Sequence, residues 1–246
     1  MPSHPANVFH DPVVVAQFLE NVRGAVPLAI EQIDTILRLI SAARPRVESF
    51  LNICCADGCM LAAAMLEEFP HACGVLLDTS NTAMETARQR LKPHASRVQF
   101  RRADWARPGW MVANAETAPF DAIICGFGTH ALPDARKRSF YSEIFRFLKR
   151  GGIFLNLEHV ASATRWSESM IDDYLIGAIF REQLKDAAGK TGAEVAREYY
   201  RASPSEAVRL APLEVQCDWL HEIGFENVDC YLKISELAVF GGQRPE

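Results

Sequence analysis

Residues 49–60 read Ser-Phe-Leu-Asn-Ile-Cys-Cys-Ala-Asp-Gly-Cys-Met, an apolar strand that breaks into a tight loop ahead of a helix. Phe50, Leu51 and Ile53 carry strand character, Asp57-Gly58 is a turn pair, and the Ala-, Leu- and Met-rich run over 61–69 predicts the helix. Doubly wound α/β proteins place a nucleotide-binding turn at such a junction. A dinucleotide fingerprint there needs three small positions, so that the backbone can touch a pyrophosphate. This loop offers Cys54, Ala56 and Gly58.

Working outward, strands alternate with helices. Two helices are expected over 12–19 and 28–42, then strands over 72–77, 97–101, 120–125 and 153–157. Ser80-Asn81 caps a helix over 82–91. The helix over 134–148 carries Phe140, Tyr141, Ile144 and Phe145 on one stripe, with Gly151-Gly152 read as its stop. Residues 161–209 are helical and charged, and read as an insertion. A helix over 212–223 and two strands over 228–233 and 236–240, paired antiparallel, close the chain. The expectation is an α/β, Rossmann-like sheet with right-handed crossovers. It forms one domain over 1–246: N-terminal helices to 45, a core over 46–160, the insertion over 161–209, and a C-terminal part over 210–246.

The 246 residues are 49% hydrophobic, enough for a sizeable core without disulfides. With 26 Lys+Arg against 31 Asp+Glu the net charge is −5, so no global field attracts nucleic acid. Arg136-Lys137-Arg138 reads as solvated helix charge. The seven cysteines include no Cys-x-x-Cys pair and no matching His cluster, so they read as reduced, small apolar residues and no metal site is expected. No apolar run is long enough to span a membrane and residues 1–10 lack a signal-peptide pattern, which predicts a cytoplasmic protein.

Ligands of open parallel sheets bind beyond the carboxyl ends of the strands, at the switch point beside the first strand. Asp78 ends the second strand, where a carboxylate can accept from both ribose hydroxyls; the bland alternative is an acid neutralising the next helix dipole. Asp104 can accept from an exocyclic adenine amine and Trp105 offers a stacking face, against the alternative of a loop acid and a packed ring. Thr79 and Cys125 complete the strand-end set. The first loop discriminates between ligands. The pyrophosphate of NAD must contact main-chain nitrogens, which side chains at Cys54 and Ala56 obstruct. S-adenosylmethionine has no phosphate and demands less backbone proximity.

With those residues in place, the chain resembles the class I S-adenosylmethionine-dependent methyltransferases. The first motif corresponds to residues 51–58, the second to Leu76-Leu77-Asp78 with Ser80 and Met84, and the third to Ala103-Asp104-Trp105. Phe120-Asp121-Ala122-Ile123-Ile124 and His130 with Leu132-Pro133-Asp134 follow the same pattern. The closing stretch, Trp219-Leu220 through Gly224-Phe225 to Phe240-Gly241-Gly242, is similar to a small bacterial subgroup related to the tRNA carboxymethyl-uridine synthesis enzymes, and Val26-Pro27 fits it as well. The resemblance implies a seven-stranded sheet with six parallel strands and one reversed. It implies S-adenosylmethionine held by Asn52, Cys54, Ala56, Gly58, Asp78, Thr79, Asp104, Trp105 and Cys125. The first motif is degenerate: Asn52 stands for the usual acid, two of three glycines are replaced, and Phe18 stands where the subgroup has a tyrosine.

Methyl transfer rests on in-line positioning, and an OH or NH acceptor adds the need for a general base. His130, just past the fourth strand, is the candidate catalytic residue, with Glu158 and His159 behind it. The structural alternative for His130 is a polar cap of the following helix. The expected reaction is direct methyl transfer to a small molecule, with nucleic acid and membrane disfavoured as partners and a homodimer left open. The alternatives are an inactive protein that keeps the fold as a binding or regulatory partner, and a nicotinamide-dependent oxidoreductase, against which the missing glycines count.

Overall fold

The computed structural model describes residues 28–54, 59–111, 118–167, 170 and 209–246. The expected helix over 12–19, the loop residues 55–58 and most of the 161–209 segment lie outside the described residues. The strands are β1 (Ser49–Ile53), β2 (Cys73–Asp78), β3 (Val98–Arg102), β4 (Phe120–Gly126), β5 (Leu148–His159), β6 (Glu226–Ile234) and β7 (Leu237–Gln243). They form one sheet in the order β3-β2-β1-β4-β5-β7-β6. β1 to β5 are parallel, whereas β7 runs antiparallel to both β5 and β6. Six strands therefore share one direction and β7 alone is reversed, the arrangement the sequence implied.

The described helices are α1 (Ala29–Ala43), α2 (Met60–Glu68), α3 (Asn81–Arg90), α4 (Asp134–Phe147) and α5 (Leu213–Ile223). Their ends follow local chemistry. Ser80 Oγ accepts from Ala83 N at the start of α3, and Gly224, at φ 107°, closes α5. The alternating pleat divides the buried residues between two cores. Phe50, Leu76, Ile124 and Leu155 face α1 and α2. Leu51, Ile53, Leu77, Ile123 and Phe154 face Phe140, Tyr141 and Ile144 of α4 and Leu220 of α5. A sheet covered on both faces explains why these strands read as continuous apolar runs. Among the described residues, no helix is long and apolar enough to cross a membrane.

One boundary differs from expectation. Gly151-Gly152 does not stop α4; the helix ends at Phe147, Leu148 is already extended, and β5 starts there. Leu148 pairs with Phe120, and the register then shifts before Ile153 meets Ala122. Gly151 supplies the φ of 67° that this irregularity requires. The glycines shape a strand.

Near the amino end of β4, Asp121 is 1% exposed and accepts from Arg44 Nη2 at 2.8 Å, Lys149 Nζ at 2.9 Å, and the Glu48 and Ser49 amides at 2.9 and 3.0 Å. Burial pushes its carboxyl up, but these donors outweigh it and hold the pKa down at about 2. Because the folded value lies below the unfolded one, the stabilisation is complete above about pH 4 and fades as pH falls towards 2. Asp121→Asn should therefore destabilise the neutral protein by about 2 kcal/mol. The difference should close in acid, as read by urea unfolding at both pH values. Equal midpoints at pH 7 would refute it.

Candidate functional site

The carboxyl ends of β2, β1, β4 and β5 form one edge, and the strand order reverses between β1 and β4. Three of the six left-handed non-glycine residues among those described lie there. Cys54 (φ 61°) and Phe127 (φ 56°) follow β1 and β4, and Cys59 (φ 54°) precedes α2. Left-handed conformations at non-glycine residues cost on the order of 1–3 kcal/mol each and cluster at functional sites. Ile53 pairs with Cys125, and Asn52 is 2% exposed beside them. Gly128 has no room for a side chain: a Cβ there would lie 2.8 Å from Cys125 Sγ and 3.2 Å from Cys54 Cβ. Burial first, then the nearby Glu158 and Cys54, push the Cys125 thiol well above its ordinary range. It is an apolar floor, unreactive at neutral pH.

Asp78 ends β2 at 2% exposure, and its Oδ1 accepts from Ser80 N at 2.8 Å. Thr79 is exposed beside it, its carbonyl accepting from Arg102 Nε at 3.2 Å. Ala103 N donates to Asp78 O at 3.1 Å, which brings the β3 loop to the same edge. There Asp104 is exposed; Oδ1 accepts from Ala106 N at 3.1 Å and Oδ2 pairs with Arg107 Nε at 3.1 Å. Trp105 is 7% exposed and donates Nε1–H to Gly128 O at 2.6 Å, tying the β3 loop to the β4 loop. The ring is packed in the core, a correction to the open stacking face the sequence suggested. Ala56 and Gly58 lie outside the described residues.

The expectation for Arg136 and Lys137 is corrected as well. Arg136 is 8% exposed; its Nε and Nη2 donate to Trp105 O at 3.0 and 2.7 Å, and Nη2 pairs with Glu143 at 2.8 Å. Lys137 is 1% exposed and donates to Arg209 O and Asp134 Oδ1. Helical spacing held the signal: both residues stand four positions before Phe140 and Tyr141, on the apolar stripe itself. The first turn of α4 thus fixes both the β3 loop and the chain returning at Arg209.

Beyond β4, His130 Nδ1 lies 3.0 Å from Glu158 Oε1, with the imidazole 31% and the carboxylate 1% exposed. Glu158 Oε2 accepts from Thr129 N at 2.6 Å, Thr129 Oγ1 at 2.8 Å and His130 N at 3.2 Å, and Oε1 also accepts from His159 N at 2.8 Å. Burial pushes this carboxyl up, but the bonds from His130, Thr129 and His159 more than offset it and hold it below its usual range. An ionised Glu158 can accept from Nδ1 only when that nitrogen carries a proton. His159 pairs separately with Glu236, Nε2 to Oε2 at 2.7 Å. The edge therefore holds a buried carboxylate at β2 and a carboxylate-oriented imidazole after β4. Thr129, which donates twice to Glu158, gave no signal in the sequence.

Residues 50–152 match a family model described as a methyltransferase domain. A demethylmenaquinone methyltransferase of Leptospira interrogans is 32% identical over 127 residues, 50% of this chain and 48% of the relative. The chain spans about half the length of the curated relatives it matches. Among solved structures, an O-methyltransferase family protein from Burkholderia thailandensis superposes with a TM-score of 0.61 at 15% identity, over 94% of this chain and 63% of that one. Human N-acetylserotonin methyltransferase in complex with SAM gives 0.55 at 12% identity, over 91% of this chain and 54% of the other. At these identities the likeness is one of fold.

Proposed function

We propose, from the match of residues 50–152 to a methyltransferase domain model, that the chain moves a methyl group from S-adenosylmethionine to an oxygen or nitrogen of a small molecule. The observation that supports this reading best is the shared edge of Asp78 and the His130–Glu158 pair, a buried carboxylate at the end of β2 and a carboxylate-bound imidazole after β4, with β1 between them. The residues fit such a cofactor. The buried carboxylate of Asp78 suits a ribose diol, and the side chains of Cys54 and Cys125 at the β1–β4 junction suit a ligand with no phosphate to cradle.

Asp78 accepts from the ribose hydroxyls. Asp104, beside Thr79, accepts from the adenine amine, and Trp105 acts by fixing the loop that carries Asp104. Asn52, Cys54 and Cys125 border the methionine tail. When bound, S-adenosylmethionine supplies a methyl that is already electrophilic, so the chain's share is orientation and a proton sink. His130 Nε2 takes the acceptor proton while Glu158 holds Nδ1. The small-molecule acceptor is supported by the name of the Leptospira interrogans relative, which acts on demethylmenaquinone.

Calorimetric titration with S-adenosylhomocysteine tests the cofactor. Asp78→Asn keeps the bond to Ser80 N but removes the charge, and should weaken binding by about 10-fold or more. Unchanged affinity would remove the ribose assignment. No heat from the wild type at millimolar ligand would remove the cofactor itself.

A further inference from the structure

Behind Glu158 a row of buried polar side chains crosses the core between β5, α4 and α5. Gln216 Nε2 donates to Ala211 O at 3.0 Å, on the chain that returns towards α5. Tyr141 OH donates to Gln216 Oε1 at 2.6 Å. Asn156 Nδ2 lies 3.3 Å from Tyr141 OH and 3.2 Å from Thr129 Oγ1. Thr129 Oγ1 reaches Glu158 Oε2 at 2.8 Å. Thr129, Asn156 and Tyr141 are 0% exposed and Gln216 is 1% exposed.

The donors along this row are fixed one by one. Ala211 O can only accept, so the Gln216 amide is oriented with nitrogen towards it and oxygen towards Tyr141. That oxygen can only accept, so the Tyr141 hydroxyl proton points to it and the phenol oxygen is left to accept from Asn156. Asn156 must then present its NH2, which also occupies a lone pair of Thr129 Oγ1. The Thr129 proton has one direction left, towards Glu158 Oε2. Both Glu158 oxygens already receive backbone N–H donors, from Thr129 and His130 on one side and His159 on the other. The carboxyl is therefore an acceptor at every contact, and the remaining bond, to His130 Nδ1, takes its proton from the imidazole.

We propose that Thr129, Asn156, Tyr141 and Gln216 are positioning residues that hold Glu158 as a carboxylate and fix His130 as the Nδ1–H tautomer, with Nε2 the basic atom. A row built only to fill the core would be better served by apolar side chains, since buried polar groups add little net stability even when satisfied and Asn156 Oδ1 has no hydrogen-bond partner among the described residues. A row whose hydrogens all resolve in one direction ends in a single protonation state at the imidazole. The polarity begins at Ala211, which also accepts from Ala161 N at 3.0 Å, so the two ends of the 161–209 segment meet at its origin. Among the described residues, the other titratable groups that feel the charge of Glu158 are Cys125, Lys137 and Tyr141 itself.

This inference rests on the reading of His130 as the base, and its test is independent of any acceptor. The full chain, labelled with 15N-histidine and free of ligand, is examined by long-range 1H–15N correlation NMR, with His130 assigned from the signal lost in His130→Gln. The expected wild-type result is a protonated Nδ1 and an unprotonated Nε2; an Nε2–H tautomer would overturn the proposal outright. Thr129→Val removes one donor from Glu158 and leaves it more basic, so the His130 titration midpoint should rise by about half a unit or more. Thr129→Ser should restore it. Tyr141→Phe, acting through Asn156, should move the midpoint in the same direction by less, and provides the test should the valine variant not fold. A midpoint unmoved in the folded variants would show that the row is packing only. Failure of S-adenosylhomocysteine to bind would sink the methyltransferase reading and leave the tautomer result standing, so the two failures are distinguishable.

Discussion

Glu158→Ala is expected to lower the unfolding free energy by about 3–5 kcal/mol and to slow the proposed methyl transfer by about 10²- to 10⁴-fold. Three of the donors to this carboxylate are the main-chain N–H groups of Thr129, His130 and His159, which cannot turn towards another acceptor. Alanine leaves them unpaired at a position that is 0% exposed. The same change releases Nδ1 of His130, so the imidazole is no longer held in one tautomer or one plane. The stability deficit should depend on pH in a defined direction. Since the folded pKa of Glu158 lies below its ordinary value, its contribution is complete above about pH 4.5 and is lost as pH falls through the folded value. Urea unfolding of wild type and variant at pH 7 and in acid reads the difference. A variant that unfolds with the wild-type midpoint at neutral pH would show that the pair contributes nothing.

The strand–helix alternation and the polar residues at the strand ends carried the fold. The central strands β1, β2, β4 and β5 are covered on both faces, so their sequences are largely apolar and stand out against the charged helices. Asp78 was legible because it directly ends an apolar run, and Asp104 and His130 because they stand in the loops after β3 and β4, which the sheet brings to the same edge. The interior polar residues were not legible. Asn156 sits inside Phe-Leu-Asn-Leu-Glu of β5, and Tyr141 inside the apolar stripe of α4. Nothing local distinguishes a hydroxyl that joins a network from one that fills space, because their partners are 15 and 75 residues away. Arg136 and Lys137 misled for another reason: their charge outweighed their place on the apolar stripe, and their buried partners lie at Trp105 and Arg209. The Val26-Pro27 likeness to the tRNA-related subgroup falls outside the described residues.

Gly241→Ala is expected to be the most destabilising single-methyl addition in the described chain, at about 4 kcal/mol or more. A Cβ at this position would lie 1.9 Å from Phe154 O, 2.9 Å from Phe154 C and 3.1 Å from Leu155 Cα. All of these are backbone atoms of β5, so no rotamer change relieves the clash and the strands must separate. Gly241 pairs with Leu155 in the antiparallel ladder, beside a register shift on the β6 side between Glu226 and Asp229. Parting β7 from β5 there breaks the contact that attaches the reversed strand, and with it β6, to the parallel sheet. Overpacking against movable side chains costs about 1–3 kcal/mol, and the neighbouring glycine supplies that comparison. A Cβ on Gly242 would meet Val228 Cγ2, a methyl that can rotate away, at 2.9 Å, with Phe225 Cβ and the backbone Glu226 O no nearer than 3.0 and 3.1 Å. Gly242→Ala should therefore retain a cooperative urea transition at a lower midpoint, while Gly241→Ala should be largely unfolded or insoluble under the same conditions. Equal midpoints for the two variants would mean that β7 relaxes away from β5 without cost. The Gly-Gly pair that marked the closing motif would then owe nothing to strand packing.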